Sequence, residues 1–188
     1  MGSSSTEPRR WWEGVVFEID SRDFRTACGH FATGVTVITT RCAGEGDHGM
    51  TANAFMSISL VPPLIAVSIA DTAKMLKYIH ETGRFAVSIL SRSMEPVAWH
   101  FSGKSNQGIP EVFEDCDGLP VIRDALAAFT AHVAEEIPAG DHTIFVGRVS
   151  CLVHRPGHEP LIFNRGRFTI LECHGAAEIQ HPRRAQLP

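Results

Sequence analysis

Residues 48 to 63 read His-Gly-Met-Thr-Ala-Asn-Ala-Phe-Met-Ser-Ile-Ser-Leu-Val-Pro-Pro and set the small hydrogen-bonding side chains of Thr51, Asn53, Ser57 and Ser59 between small apolar ones. A buried strand would be more uniformly branched, and an exposed loop would carry more charge. The mixture suits a backbone lying close against a flat polar ligand. Hydroxyl and amide groups can bond the polar edge of such a ligand, while Ala52 and Ala54 would leave its face uncovered.

Just upstream, Gly44-Glu45-Gly46-Asp47-His48-Gly49 matches the pattern of a dinucleotide-binding loop, and Asp71 lies where a ribose-binding acid belongs. Two features oppose that reading. Glu45 and Asp47 would place carboxylates where an anionic pyrophosphate must sit, and the following helix would have to end before Pro62-Pro63. A hairpin turn fits better.

The elements that must position these groups are mostly strands. Gly34-Val35-Thr36-Val37-Ile38-Thr39-Thr40, Leu64-Ile65-Ala66-Val67-Ser68-Ile69, Arg84-Phe85-Ala86-Val87-Ser88-Ile89-Leu90 and residues 143–153 are rich in β-branched and apolar residues. Gly147 is a candidate bulge in the last of these. Three short helices are expected. The first runs through 23–31, capped by Ser21, with Phe24, Cys28 and Phe31 on one face. The second is capped by Asp71-Thr72 and stopped by Gly83. The third covers 94–101, with Pro96 in its first turn. Residues 102–120 read as a long surface loop. Residues 124–137 fit helix by propensity and strand by alternation, and periodicity alone does not decide between them. Helices long enough for parallel crossovers are lacking, which favours a mainly β, mostly antiparallel fold.

The 188 residues, 44% hydrophobic and 20% charged, suit one folded domain. The expected limits are a flexible arm over residues 1–19 containing Trp11 and Trp12, a domain over 20–175, and a tail over 176–188. A net charge of -4 without a long basic run gives no footprint for nucleic acid. No apolar run is long enough to span a membrane, and the N-terminus lacks the layout of a secretion signal, so a cytoplasmic protein is expected. Cys28, Cys42, Cys116, Cys151 and Cys173 are odd in number and scattered, which speaks against a disulfide framework and a zinc site. They read as buried or inert thiols, and no metal is expected.

Four pieces in order resemble the flavin reductase family, whose members supply reduced flavin to two-component monooxygenases. They are Phe31-Ala32-Thr33-Gly34-Val35-Thr36-Val37-Ile38-Thr39, Thr51 through Pro63, Gly140-Asp141-His142 before a strand, and Arg165-Gly166-Arg167-Phe168. The resemblance runs from about Phe24 to Leu171. It implies a Greek-key split β-barrel with a few short helices, binding FMN or FAD as a homodimer with the flavin near the subunit interface, and a strand over residues 126–136. It places Thr51, Ala52, Asn53 and Ala54 along the isoalloxazine, Ser57 just beyond, and Asp71 to Lys74 near the flavin phosphate. Gly140, Asp141 and His142 match the motif associated with NADH or NADPH, with His142 positioning the nicotinamide. Thr36 and Phe101 also join the implied cofactor site, and Arg167 and Phe168 serve as wall or dimer contacts. Phe101-Ser102-Gly103 replaces the family's commoner Phe-Ala-Gly.

Gly-Asp-His also occurs at Gly46-Asp47-His48, but only the second copy has the Ile137-Pro138-Ala139 lead and the Phe145-Val146-Gly147 strand behind it. The expected activity is NAD(P)H:flavin oxidoreduction, with the reduced flavin passing to a separate monooxygenase. A non-catalytic flavin carrier or redox sensor on the same barrel is the alternative, and a Rossmann-type NAD dehydrogenase comes third.

Overall fold

The computed structural model describes residues 19–103 and 111–171. Trp11, Trp12, Cys173 and the proposed tail lie outside them. In chain order the elements are α1 (Ser21–Cys28), β1 (Thr33–Gly34), β2 (Thr36–Cys42), β3 (Gly46–Ala52), β4 (Phe55–Leu60), β5 (Pro63–Ala70), α2 (Lys74–Thr82) and β6 (Arg84–Ile89). A 3-10 turn over Arg92–Met94 then leads into α3 (Glu95–Phe101), β7 (Phe113–Cys116), β8 (Leu119–Ile122), β9 (Ala127–Ala139), β10 (His142–His154), β11 (Ile162–Asn164) and β12 (Arg167–Thr169).

Seven strands form one sheet in the order β3-β2-β6-β9-β10-β5-β4, and every neighbouring pair is antiparallel. The two edge strands, β3 and β4, are consecutive in the chain and separated only by Asn53 and Ala54. The three Cα steps from Ala52 to Phe55 span at most about 11 Å, so the sheet must roll to bring the end of β3 near the start of β4. No ladder joins β3 to β4, although the Ser68 amide donates to the Ala54 carbonyl at 3.2 Å. The barrel is therefore split along a seam at residues 53–54.

Its interior holds Ile38, Ile65, Val67, Ile69, Phe85, Val87 and Phe145, with Met75 and Ile79 of α2 packed among them. Gly147 matters here because an added Cβ would lie 2.5 Å from Phe85 Cζ and 2.8 Å from Ala131 Cβ. Its missing side chain makes room for the Phe85 ring. The register also shifts between Val146 and Gly147, where β9 spends the extra residue.

The segment read as a surface loop contains a hairpin, β7–β8, turning at Asp117-Gly118 with φ of 53° and 77°. Two successive left-handed residues make the hairpin turn whose twist matches the strands, and Asp-Gly is its usual sequence. That signal lay among acids and prolines. The hairpin docks on the barrel through a Thr39 hydroxyl donating to the Pro120 carbonyl and an Ile122 amide donating to Ser88 Oγ at 2.9 Å. Residues 127–139 are strand, because pairing with both β6 and β10 outweighs the helical propensity of the alanines.

Two caps differ from expectation. Asp20, not Ser21, caps α1 by accepting from the Arg22 and Asp23 amides at 2.8 and 3.0 Å. No side chain caps α2, whose N-cap is Ala73. The Asp71 carboxylate accepts instead from Thr143 Oγ1 at 3.1 Å.

Candidate functional site

The dinucleotide-loop reading fails on geometry. Gly44 and Gly46 turn a hairpin that pairs Cys42 with Gly46, strand against antiparallel strand. No helix follows that could aim amide groups at a pyrophosphate. Gly49 has a packing role, since a Cβ there would lie 2.6 Å from the Phe101 ring.

The seam presents two clefts, and Asn53 lines both. The larger, about 400 Å³, is bounded by Cys28, Phe31 and Thr33 on one side and by Phe55, Ser68 and Ile144 on the other. The smaller, about 170 Å³, lies between Thr51-Ala52-Asn53 and a wall of Trp99, Phe163 and Phe168. Trp99 and Phe168 meet edge to face at 4.9 Å, and Phe163 meets Phe168 at 5.7 Å.

Polar groups around the seam are partly committed. Thr51 Oγ1 donates to the Ala98 carbonyl at 2.7 Å, fixing α3 to β3 and leaving the hydroxyl only its lone pairs for a ligand. Thr36 is buried with Oγ1 donating to the Ala52 carbonyl at 2.7 Å, so it sits behind the seam and holds the backbone there. Thr33 differs. Its hydroxyl oxygen is buried on the wall of the larger cleft and has no hydrogen-bond partner. A buried polar atom left unsatisfied costs free energy that a ligand donor or acceptor would recover.

His142 opens β10. Along this strand residues 143, 145 and 147 are buried and 142, 144 and 146 half-buried, so His142 shares the outer face with Ile144 of the larger cleft. Two residues of strand place them about 7 Å apart. His142 Nδ1 lies 2.7 Å from Asp141 Oδ1, and that bond holds the Asp141 carboxyl below the ordinary carboxylate range. The contact favours the tautomer with the proton on Nδ1 and leaves Nε2 free to accept. The Asp71 amide donates to the Asp141 carbonyl at 3.0 Å, stitching the tripeptide to the turn before α2.

The remaining expected residues divide. Ala52, Ala54 and Phe168 line the clefts. Phe101 turns inward against Gly49 and Phe113, because the helix that carries it presents Trp99 and Ser102 to the cleft instead. Ser57 is exposed on β4 beside a register shift, and Arg167 is exposed on β12; neither lines a cleft. Asp71, Lys74 and Gly140 stand at the His142 end of the barrel. Trp99, Phe163, Gly166 and Thr33 were not singled out for the site from sequence. Trp99 had a signal in its place two residues before Phe101.

A split antiparallel barrel whose open seam offers small polar groups between an apolar cleft and an aromatic one defines a binder of a flat, polar-edged ligand. Comparison with known proteins narrows this. Residues 28–172 match the family model described as flavin reductase like domain. An NADH-dependent flavin reductase of Rhodococcus sp is 45% identical over 163 residues, covering 86% of this chain and 92% of that protein. The reductase component of 4-hydroxyphenylacetate 3-monooxygenase from Thermus thermophilus is 40% identical over 144 residues, covering 76% of this chain and 92% of that one. The solved structure of the flavin reductase PheA2 in its native state superposes with a TM-score of 0.79 at 47% identity, covering 82% of this chain and 99% of the other. The chain belongs to the flavin reductase family.

Proposed function

We propose that this protein binds FMN or FAD along the seam, reduces it with NADH or NADPH, and releases the reduced flavin to a separate flavin-dependent monooxygenase. The observation that carries this is Asn53, which the rolled sheet places between the two clefts. The unpartnered Thr33 hydroxyl supplies the fit test, since it needs a polar group where no protein group reaches.

The flavin and the nicotinamide supply the hydride chemistry themselves, and the protein's task is to bind, orient and exclude water. Thr51, its proton spent on Ala98, accepts from a ligand N–H, while the Asn53 amide both donates and accepts. Trp99 and Phe168 wall off the smaller cleft. His142, steadied by Asp141, offers Nε2 to the carboxamide of a nicotinamide. The uncapped amides at the start of α2, with Lys74 as its first residue, suit a ligand phosphate. No step calls for a protein acid or base.

The working form we propose is a homodimer. α1 has no buried residue, and Phe24, Phe31, Met56, Leu60 and Val61 are 57 to 92% exposed, more apolar surface than a monomer usually leaves open. Sedimentation at micromolar concentration would reveal a monomer if this is wrong. We place the enzyme in the cytoplasm; Cys28, Cys42, Cys116 and Cys151 are all free thiols, as a reducing compartment favours. No helix among the described residues is long and apolar enough to cross a membrane.

Purified protein mixed with NADH or NADPH and either flavin should bleach the flavin absorbance under anaerobic conditions. No turnover with any of the four combinations would sink the proposal. Tight flavin binding without nicotinamide oxidation would instead favour the carrier reading. Asn53→Ala should weaken flavin binding by roughly tenfold, the loss expected for a hydrogen bond or two.

A further inference from the structure

Cys116 and Cys151 stand 35 positions apart in sequence, yet Cys116 Sγ lies 3.4 Å from Cys151 Sγ. Cys116 is the last residue of β7 and is 8% exposed, whereas Cys151 on β10 is half-buried. Their backbones are anchored by the residues that follow and precede them. The Asp117 carboxylate accepts from Ser150 Oγ at 2.8 Å and Thr130 Oγ1 at 3.2 Å, and it pairs with Arg84 Nη2 at 2.7 Å. One hairpin turn is thereby fastened to β6, β9 and β10, and the two thiols meet beside that fastening.

We infer that Cys116 and Cys151 form a redox modification site, a thiol pair that peroxide closes into an intramolecular disulfide and a dithiol reopens. The half-buried Cys151 meets the oxidant first. Its thiol and hydrogen peroxide give a sulfenic acid and water. The Cys116 thiol then displaces the hydroxyl, forming the S–S bond and releasing a second water, so two thiols lose two electrons to one peroxide. Burial pushes the Cys116 thiol up to about 11, which keeps it from reacting first with peroxide, and the 3.4 Å approach to Cys151 supplies the proximity that offsets its scarce thiolate in the second step.

The geometry alone carries the pair; only the source of peroxide rests on the proposed activity. Reduced flavin released without a monooxygenase reacts with dioxygen to give oxidised flavin and hydrogen peroxide, so idle turnover would generate the oxidant beside the enzyme.

The test uses the full-length protein and hydrogen peroxide, followed by alkylation and peptide mapping. The cross-linked peptide joining positions 116 and 151 should exceed any other cysteine pairing at least about tenfold, reflecting the advantage of a preassembled pair, and dithiothreitol should abolish it. Cys116→Ser should leave Cys151 as a sulfenic acid trapped by dimedone. Cys151→Ser, at the less buried position, should leave Cys116 alkylatable. A wild-type protein whose Cys116 stays alkylatable after Cys28 is oxidised, or whose cysteines pair differently, would overturn the inference. A parallel sample given NADH, flavin and air, with and without catalase, separates the two claims. A cross-link with added peroxide but none during turnover would reject the idle-turnover source and leave the thiol pair standing.

Discussion

The chain contains the tripeptide Gly-Asp-His twice, and the fold gives the copies different surroundings. In Gly46-Asp47-His48, on β3, the Asp47 carboxylate pairs with Arg41 at 2.7 Å and the His48 ring stacks edge-on against Tyr78 at 4.8 Å. In Gly140-Asp141-His142, Asp141 is almost fully exposed and its carboxylate turns to its own neighbour, His142 Nδ1. The first aspartate leaves its histidine to be packed. The second orients its histidine and leaves one ring nitrogen available. Identical residues end in different surroundings because the partners their carboxylates meet differ.

The comparison breaks most clearly under histidine replacement. His142→Ala should raise the KM for the reduced nicotinamide roughly 10- to 100-fold, with flavin affinity changed by less than about threefold, the range of a lost hydrogen bond at an oriented group. His48→Ala should leave both within about twofold. Steady-state kinetics and flavin fluorescence titration read the two quantities, and equal losses in both for His142→Ala would erase the distinction.

The neighbouring glycines should separate on stability. Gly49→Ala drives a methyl into the Phe101 ring and should cost about 1 to 3 kcal/mol in urea unfolding. Gly140 has open space around it but a φ of 69°, so Gly140→Ala should cost only about 1 kcal/mol from the left-handed backbone.

The pH dependence sharpens the contrast further. Burial lowers the His48 pKa below the ordinary 6.5, so the unfolded chain takes up this proton more readily than the native one. Stability from this group therefore falls as pH drops below about 6.5 and levels off below the folded pKa. His48→Gln should flatten the Tm change between roughly pH 7.5 and 5.5 relative to the parent. Asp141 works in another window. Its pKa lies below the ordinary 3.8, so its contribution is present above that value and is lost as pH falls through the lower folded pKa. Asp141→Asn should consequently remove the loss of stability that this carboxyl contributes below about pH 3.8. The smallest effect belongs to Asp47→Asn, under about 1 kcal/mol, because both side chains of the Arg41 pair keep partial contact with solvent.

Much of the barrel was legible from residue pattern. The β-branched strands, the glycine-rich hairpin before Met50 and the Gly83 stop follow from backbone preferences acting over a few residues. The polar-and-small mixture at Thr51–Ala54 pointed to the seam for the same local reason. Side-chain direction did not follow. Thr36 and Phe101 read as site residues and point inward, because their orientation depends on Ala52 and Gly49 of a strand paired or packed against them. Asp71 read as a cap and bonds Thr143, a partner 72 positions away. The scattered cysteines gave no hint of a pair, since nothing local to Cys116 mentions Cys151.

The sequence by itself determined which segments extend, where they turn, and which stretch carries groups suited to a flat ligand, since these depend on periodicity and on glycine, proline and β-branching at short range. Only the tertiary structure decided that β3 and β4 form the two unpaired edges of one sheet, that the Asp141 carboxylate bonds His142 while the Asp47 carboxylate pairs with Arg41, and that two distant thiols lie 3.4 Å apart. Those outcomes belong to the rolling of the sheet, which brings together residues whose separation along the chain carries no trace of their separation in space.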